Sequence, residues 1–221
     1  MRKALKHIIA YTYRPVLARY LTKKRIYRYK NIILEIPPGV FHPGFFFSTQ
    51  LLLQCIAGFT LQGVKILELG AGSGLISIFA AKKGAKVTAT DINPVAVEFL
   101  KKNCEKNRVE FEIIQSDLFG DIPSQQFHII AINPPFYKKK QETINDFAWY
   151  CGENGEYFQK LFNGLRGYIY HNSIVLMVLS EECDINMIER IASGKGFALQ
   201  KIITKKAIWE YLYIYKVTDI Q

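Results

Sequence analysis

Residues 65–74 read KILELGAGSG, and the reading of this stretch decides the fold. Ile66-Leu67-Glu68-Leu69 is a short, largely apolar run of strand length. Gly70, Gly72 and Gly74 follow at every second position, and an apolar helical pattern begins at once with Leu75, Ile76, Ile78 and Phe79. A strand, a glycine turn and a helix in that order are the setting in which such glycines serve a ligand. Glycine takes positive φ, and with no Cβ it lets a ligand come close to the backbone. The spacing G-x-G-x-G differs from the G-x-G-x-x-G of dinucleotide binders. Glu68, two positions before the first glycine, would repel a pyrophosphate but not a cationic ligand. The plain alternative is a tight βα turn with no ligand.

Downstream, residues 86–91 (KVTATD) read as a second strand ending in Asp91. That carboxylate lies about 20 residues beyond the glycines, the offset at which an acid meets ribose hydroxyls in nucleotide-type folds. Asn93-Pro94 opens a helix over 94–106. A third strand over 110–116 runs into Asp117-Leu118-Phe119. Ionised Asp only accepts hydrogen bonds and so suits an exocyclic amino group, although an Asp after a strand also reads as a helix cap. A fourth strand, FHIIAI over 127–132, enters Asn133-Pro134-Pro135-Phe136. The two prolines fix the backbone and have no N–H to donate. The Asn133 side chain and the Pro134 carbonyl then become acceptors held in fixed directions, beside the flat ring of Phe136. The alternative is a rigid strand-to-loop turn. Beyond it come a helix over 152–166, a strand over 173–180, a helix over 184–195 and strands near 197–204 and 210–218. This βαβα alternation predicts a parallel sheet covered on both faces.

Upstream, residues 40–47 are rich in aromatics, which either wall a pocket or pack beneath a long loop. Ser48 or Thr49 is placed to cap a helix carrying Leu51, Leu52, Leu53, Cys55 and Ile56, and His42 reads as a packing or turn residue. The alternation over residues 26–36 suggests a strand or extended segment, and Pro37-Pro38-Gly39 ends it. Residues 3–13 and 15–24 read as two short helical pieces.

Residues 1–30 hold 10 Lys or Arg and no Asp or Glu, so the net charge of +10 belongs to this arm alone. Cations interleaved with aromatics suit an RNA or DNA partner, an anionic membrane surface, or a lid with solvated charges. No apolar run reaches the roughly 18 residues of a membrane span, and no cleavable signal is legible. The four cysteines are far apart with no C-x-x-C, which predicts reduced thiols, no metal site and a cytoplasmic setting. The organisation predicted is an arm over 1–39 and one domain over 40–221.

ELGAGSG, TDINPVAVEFLKKN, SDLF and NPPF, in that order and spacing, resemble the class I S-adenosylmethionine-dependent methyltransferases. Within that class they are similar to the small methyltransferase domain group. It contains the HemK-like release-factor glutamine methyltransferases and several RNA and DNA amino-group methyltransferases. The resemblance covers roughly residues 40–218. It implies a Rossmann-like sheet of seven strands with the last antiparallel, and S-adenosylmethionine as cofactor. It assigns Glu68, Gly70, Ala71, Gly72 and Gly74 to the methionine half of the cofactor, Asp91 to its ribose, and Asp117 to its adenine amino group between Ile92 and Leu118. Asn133, Pro134, Pro135 and Phe136 become the catalytic segment at the target nitrogen. Phe47 and Thr49 fall in a loop that closes over the site. Release-factor enzymes commonly carry Tyr where Phe136 stands, and their N-terminal recognition domain is longer. An RNA base amine is therefore placed ahead of a protein glutamine amide as acceptor, with a non-catalytic binding module as a further alternative.

Overall fold

The computed structural model describes residues 22–45, 47–207 and 210–220. The helical pieces expected over 3–13 and 15–24 lie outside these, apart from residues 22–24, which form a turn and no helix. The chain begins with an antiparallel hairpin, β1 (Arg25–Tyr29) and β2 (Ile32–Ile36). Then come α1 (Phe47–Ile56), β3 (Lys65–Leu69), α2 (Leu75–Lys82), β4 (Lys86–Asp91), α3 (Pro94–Asn107), β5 (Glu112–Gln115) and β6 (Phe127–Ile132). The remainder is α4 (Glu156–Gly164), β7 (Ile169–Ser180), α5 (Ile185–Ser193), β8 (Phe197–Lys206) and β9 (Tyr211–Asp219). Seven strands form one sheet in the order β5-β4-β3-β6-β7-β9-β8, and β9 runs antiparallel to both its neighbours. This is the sheet the sequence predicts.

The period of two along each strand sorts side chains into two cores. Ile66, Ala89, Ile129, Ala131, Leu176 and Val178 face α1, α2 and α3, while Leu67, Leu69, Ile130, Ile132, Val175 and Met177 face α4 and α5. The central strands are buried on both faces, so they read as unbroken apolar runs in the sequence.

β3 and β6 pair in parallel, with Leu69 opposite Ile132. From β3 the chain winds outward through β4 to β5, then returns to lay β6 on the other side of β3. The loops leaving β3 and β6 therefore part at the carboxyl edge of the sheet, and the crevice between them is where ligands of open α/β sheets bind.

The strand or extended segment expected over 26–36 is two strands, folded back as a hairpin. Its turn, Lys30-Asn31, places Lys30 at φ 50, a conformation with no glycine to announce it. Ile32, Leu34 and Ile36 are buried in the core on the α3 side, so the packed body includes part of the segment read as an arm. The outer edge of β2 is satisfied by two side chains of α3, one turn apart. Asn107 accepts from Ile33 N–H (3.0 Å) and donates to its carbonyl (2.7 Å), and Asn103 does the same for Glu35 at 2.7 Å and 3.0 Å. Residues i and i+4 of a helix lie on one face, at a spacing that matches alternate residues of a strand. Asn103 also donates to the Ser73 carbonyl (3.0 Å), tying the hairpin to the glycine turn.

Other boundaries shift for local reasons. Ser48 and Thr49 do not cap α1: it starts at Phe47 and both lie inside its first turn. The helix expected from residue 152 starts at 156, because Gly152 (φ 91) and Gly155 (φ 74) hold the chain in the left-handed region. Replacing Asn103 with Ala would leave buried backbone groups of β2 without partners, at about 1–3 kcal/mol each. The expected loss in urea denaturation is roughly 2–4 kcal/mol; a change under about 0.5 kcal/mol would show that the amide ladder does not hold the hairpin.

Candidate active site

One cleft opens at the carboxyl edge between the loops leaving β3 and β6. It is lined by Glu68, Gly70, Ala71, Gly72, Asp91, Ile92, Asp117, Leu118, Thr49 and all four of Asn133, Pro134, Pro135 and Phe136. Thirteen of the fifteen candidate residues thus share one cavity. Gly74 does not line it. At φ 82, with a Cβ that would fall 2.0 Å from Leu100, Gly74 is the close contact that lets α2 start against α3. Phe47 is 37% exposed at the start of α1, away from the lining.

The half of the cleft over β3 and β4 is built around Asp91. Its two carboxylate oxygens accept one backbone N–H each, Gly72 to Oδ2 (2.8 Å) and Asn93 to Oδ1 (2.9 Å). The glycine turn is thereby pinned to the end of β4, with Ala71 N–H donating to the Thr90 carbonyl (2.8 Å) as well. Burial raises the Asp91 pKa above its ordinary value, opposed by the hydrogen bonds from these amides. Each oxygen keeps a lone pair for a further donor. Gly70 has φ 69, and a Cβ there would meet nothing within 4 Å, so the backbone lies open to the cleft. Leu118, at φ 56, and Ile92 supply apolar walls. Asp117 is exposed and paired with Lys160 (2.6 Å). That pair is solvated, worth about 0–1 kcal/mol, and easily exchanged for a ligand. Two acceptor carboxylates, apolar flanks and an open glycine backbone fit a nucleoside carrying a cationic chain.

Glu68 lines the cleft and also reaches the start of α2. Strand parity points it toward α2, where its Oε2 accepts from both Ser77 N–H (2.8 Å) and Ser77 Oγ. Because Gly74 is the N-cap and has no side chain, Glu68 supplies the cap from the preceding strand. Burial pushes its pKa up to about 7, against the Ser77 hydrogen bonds, and Asp91 adds to the rise.

The other half lies over β6 and its neighbours. Asn133 donates from Nδ2 to Thr49 Oγ1 (3.1 Å), which uses the donor side of the amide and leaves Oδ1 as the group for a ligand. Tyr137 is fixed on both sides, its N–H donating to the Trp149 carbonyl (2.9 Å) and its carbonyl accepting from Cys151 N–H (2.8 Å). This clamps residues 133–136 against the stretch that carries Phe147 and Trp149, and Trp149 meets Phe41 at 5.5 Å. The aromatic loop before α1 divides between its two expected roles. Val40, Phe41 and Pro43 line the cleft, while Phe45 packs on His42 (4.6 Å). His42 is a turn residue, its Nδ1 accepting from Gly44 N–H (3.1 Å).

Sequence reasoning missed Phe147, Trp149, Tyr157 and Glu210, which also line the cleft. Their segments carry no motif; only the fold brings them here. Among the described residues, no cluster of His, Cys, Asp and Glu is placed to hold a metal ion, and no helix is long and apolar enough to cross a membrane.

The fold, its reversal point and this cleft define a class I S-adenosylmethionine-dependent methyltransferase. The chain belongs to the family described as Methyltransferase small domain, whose model matches residues 31–151. It is 33% identical over 157 residues to a putative protein N5-glutamine methyltransferase of Methanocaldococcus jannaschii, covering 68% of this chain and 77% of that protein. It is 34% identical over 137 residues to ribosomal RNA small subunit methyltransferase C of Haemophilus influenzae, covering 58% of this chain but only 41% of that enzyme. Among solved structures, the 16S rRNA N2 G1207 methyltransferase of T. thermophilus, in complex with AdoMet and guanosine, superposes with a TM-score of 0.64. The two are 22% identical, and the match covers 88% of this chain and 50% of that one. The cofactor is S-adenosylmethionine.

A carboxyl group whose folded pKa is about 7, against 4.5 ordinarily, binds more protons folded than unfolded between those values. The stability contributed by this group is therefore full below pH 4.5 and is lost as pH rises through 7, by roughly 3 kcal/mol at most. Glu68→Gln keeps an acceptor for Ser77 and cannot ionise. Measured by urea denaturation without cofactor, its stability relative to wild type is expected to rise between pH 5 and pH 8. A difference that stays flat over that range would place the Glu68 pKa at its ordinary value.

Proposed function

We propose that the enzyme methylates an exocyclic amino nitrogen of a base in RNA. The observation that carries this reading is the aromatic wall beside Asn133 and Pro134, to which Phe41, Phe136, Phe147 and Trp149 contribute. Flat apolar area of this kind is what a base fills by stacking, at about 1–3 kcal/mol per base. The 10 Lys or Arg among residues 1–30, with no acid, add the charge a polyanion needs.

On this reading Asp91 accepts from the ribose hydroxyls of the cofactor, and Asp117 from its adenine amino group between Ile92 and Leu118. Gly70, Ala71 and Gly72 let the methionine half lie against bare backbone, and Glu68 acts one step removed by fixing the start of α2. When bound, the cofactor supplies a methyl group on a positively charged sulfur.

The lone pair of an aryl amine is delocalised into its ring, so the nitrogen attacks poorly. Asn133 Oδ1 and the Pro134 carbonyl, accepting from its two N–H groups, favour a pyramidal nitrogen whose lone pair is free. That shape belongs to the transition state more than to the ground state, so these contacts raise the rate. Thr49 holds the Asn133 amide in the needed orientation, and Pro134 and Pro135 keep the carbonyl from turning. The proton can leave after transfer, so no side-chain base is required.

A second reading, a protein glutamine amide, is favoured by the M. jannaschii relative, which is named for that activity and matched over most of its length. An amide nitrogen would meet the same two acceptors but cover less of the aromatic wall. Incubating cell extract with the protein and labelled cofactor separates the two. Label released by nuclease is the expected result; label released by protease would overturn the RNA reading in favour of glutamine. Asn133→Ala is expected to lower kcat by about 10²-fold or more with calorimetric affinity for the cofactor unchanged. Turnover at the wild-type rate would remove Asn133 from the reaction.

A further inference from the structure

We infer that Tyr157 holds the adenosine half of the cofactor: its hydroxyl donates a hydrogen bond to a ring acceptor of the nucleoside, between the groups that Asp91 and Asp117 receive. The inference rests on the cofactor placement proposed above and is independent of the methyl acceptor.

Tyr157 stands in the first turn of α4, half-buried, and lines the cleft together with Asp91 and Asp117. Its backbone is fixed to the other half of the site. Tyr157 N–H donates to the Cys151 carbonyl (3.0 Å), and Cys151 N–H in turn donates to the carbonyl of Tyr137, the residue after Phe136. Its side chain meets the cofactor half. Lys160, three positions on and therefore on the same face of α4, reaches Asp117 at 2.6 Å. Both carboxylates act on the phenol as well: burial first, then the charges of Asp91 and Asp117, raise its pKa well above the ordinary tyrosine value. The hydroxyl therefore keeps its proton and stands ready as a donor.

Among the described residues, no group forms a hydrogen bond with this hydroxyl. A tyrosine hydroxyl drawn out of water ordinarily finds a partner. The groups around it are engaged elsewhere: Asp91 with Gly72 and Asn93, Asp117 with Lys160, and the Ser116 hydroxyl with the Leu118 carbonyl (2.9 Å). The cofactor half of the cleft thus holds a free donor beside two carboxylates. Adenosine carries the complementary set. Its donors are the two ribose hydroxyls and the amino group, which carboxylates accept. Its remaining polar atoms, N1, N3, N7 and the ribose ring oxygen, only accept, and an ionised carboxylate has nothing to give them. Carboxylates alone would set these lone pairs against negative charge. A neutral hydroxyl between them supplies the missing donor.

The test is calorimetry with S-adenosylhomocysteine on the full chain, together with the thermal midpoint of the ligand-free protein. Tyr157→Phe removes one oxygen and keeps the ring. It is expected to weaken S-adenosylhomocysteine binding by about 3- to 10-fold, the range for one neutral hydrogen bond. A hydroxyl without a protein partner adds nothing to folding, so the midpoint is expected to stay the same or rise. Unchanged affinity would overturn the inference. A lowered midpoint would overturn it too, because the hydroxyl would then serve the fold. Asp117→Ala is measured alongside. If it weakens binding while Tyr157→Phe does not, the role of Tyr157 fails and the cofactor placement stands; if neither weakens binding, the placement fails with it.

Discussion

The parallel pairing of β3 with β6 is the constraint from which the site follows. These two strands are neighbours in the sheet but not in the chain, and the winding changes direction between them. Each must end in a loop at the same edge, and the two loops must diverge to reach helices on opposite faces. With Leu69 beside Ile132, the glycine turn and the Asn-Pro-Pro-Phe segment are set side by side by backbone hydrogen bonding, with no side chain needed to bring them together. The two halves of the cleft thus come from one topological fact.

Buried polar groups then fix the details that strand pairing leaves loose. The Asp91 carboxylate is held by amides of the glycine turn and of the start of α3, so it arrives oriented. Glu68 replaces the missing cap of α2. Asn133 is turned by Thr49, which sits on α1, an element that precedes the sheet in the chain. The Glu68 bonds are buried, where a low-dielectric surrounding strengthens a satisfied bond and penalises its loss, while those of Asp91 and Asn133 are part-buried at the cleft.

The central strands and the two loops that line the cleft were legible in the sequence because their signals are local: apolar runs of strand length, glycines at fixed spacing, prolines after a strand. The hairpin was not, since a Lys30-Asn31 turn carries none of the usual glycine signal and the partner of β2's outer edge is a pair of asparagine side chains more than sixty residues away. Gly74 was legible as a glycine of the turn but not for its purpose, because Leu100 reaches it only in three dimensions. Glu210, Trp149 and Tyr157 left no trace at all. They stand in segments of ordinary composition and join the cleft through sheet order, information that no window of sequence contains.

The amide of Asn103 has one more consequence. Its Nδ2 donates at once to the carbonyls of Glu35 and Ser73, so the N-terminal hairpin and the glycine turn share a single rivet. Losing that amide would release the hairpin and the glycine turn together, through only two hydrogen bonds.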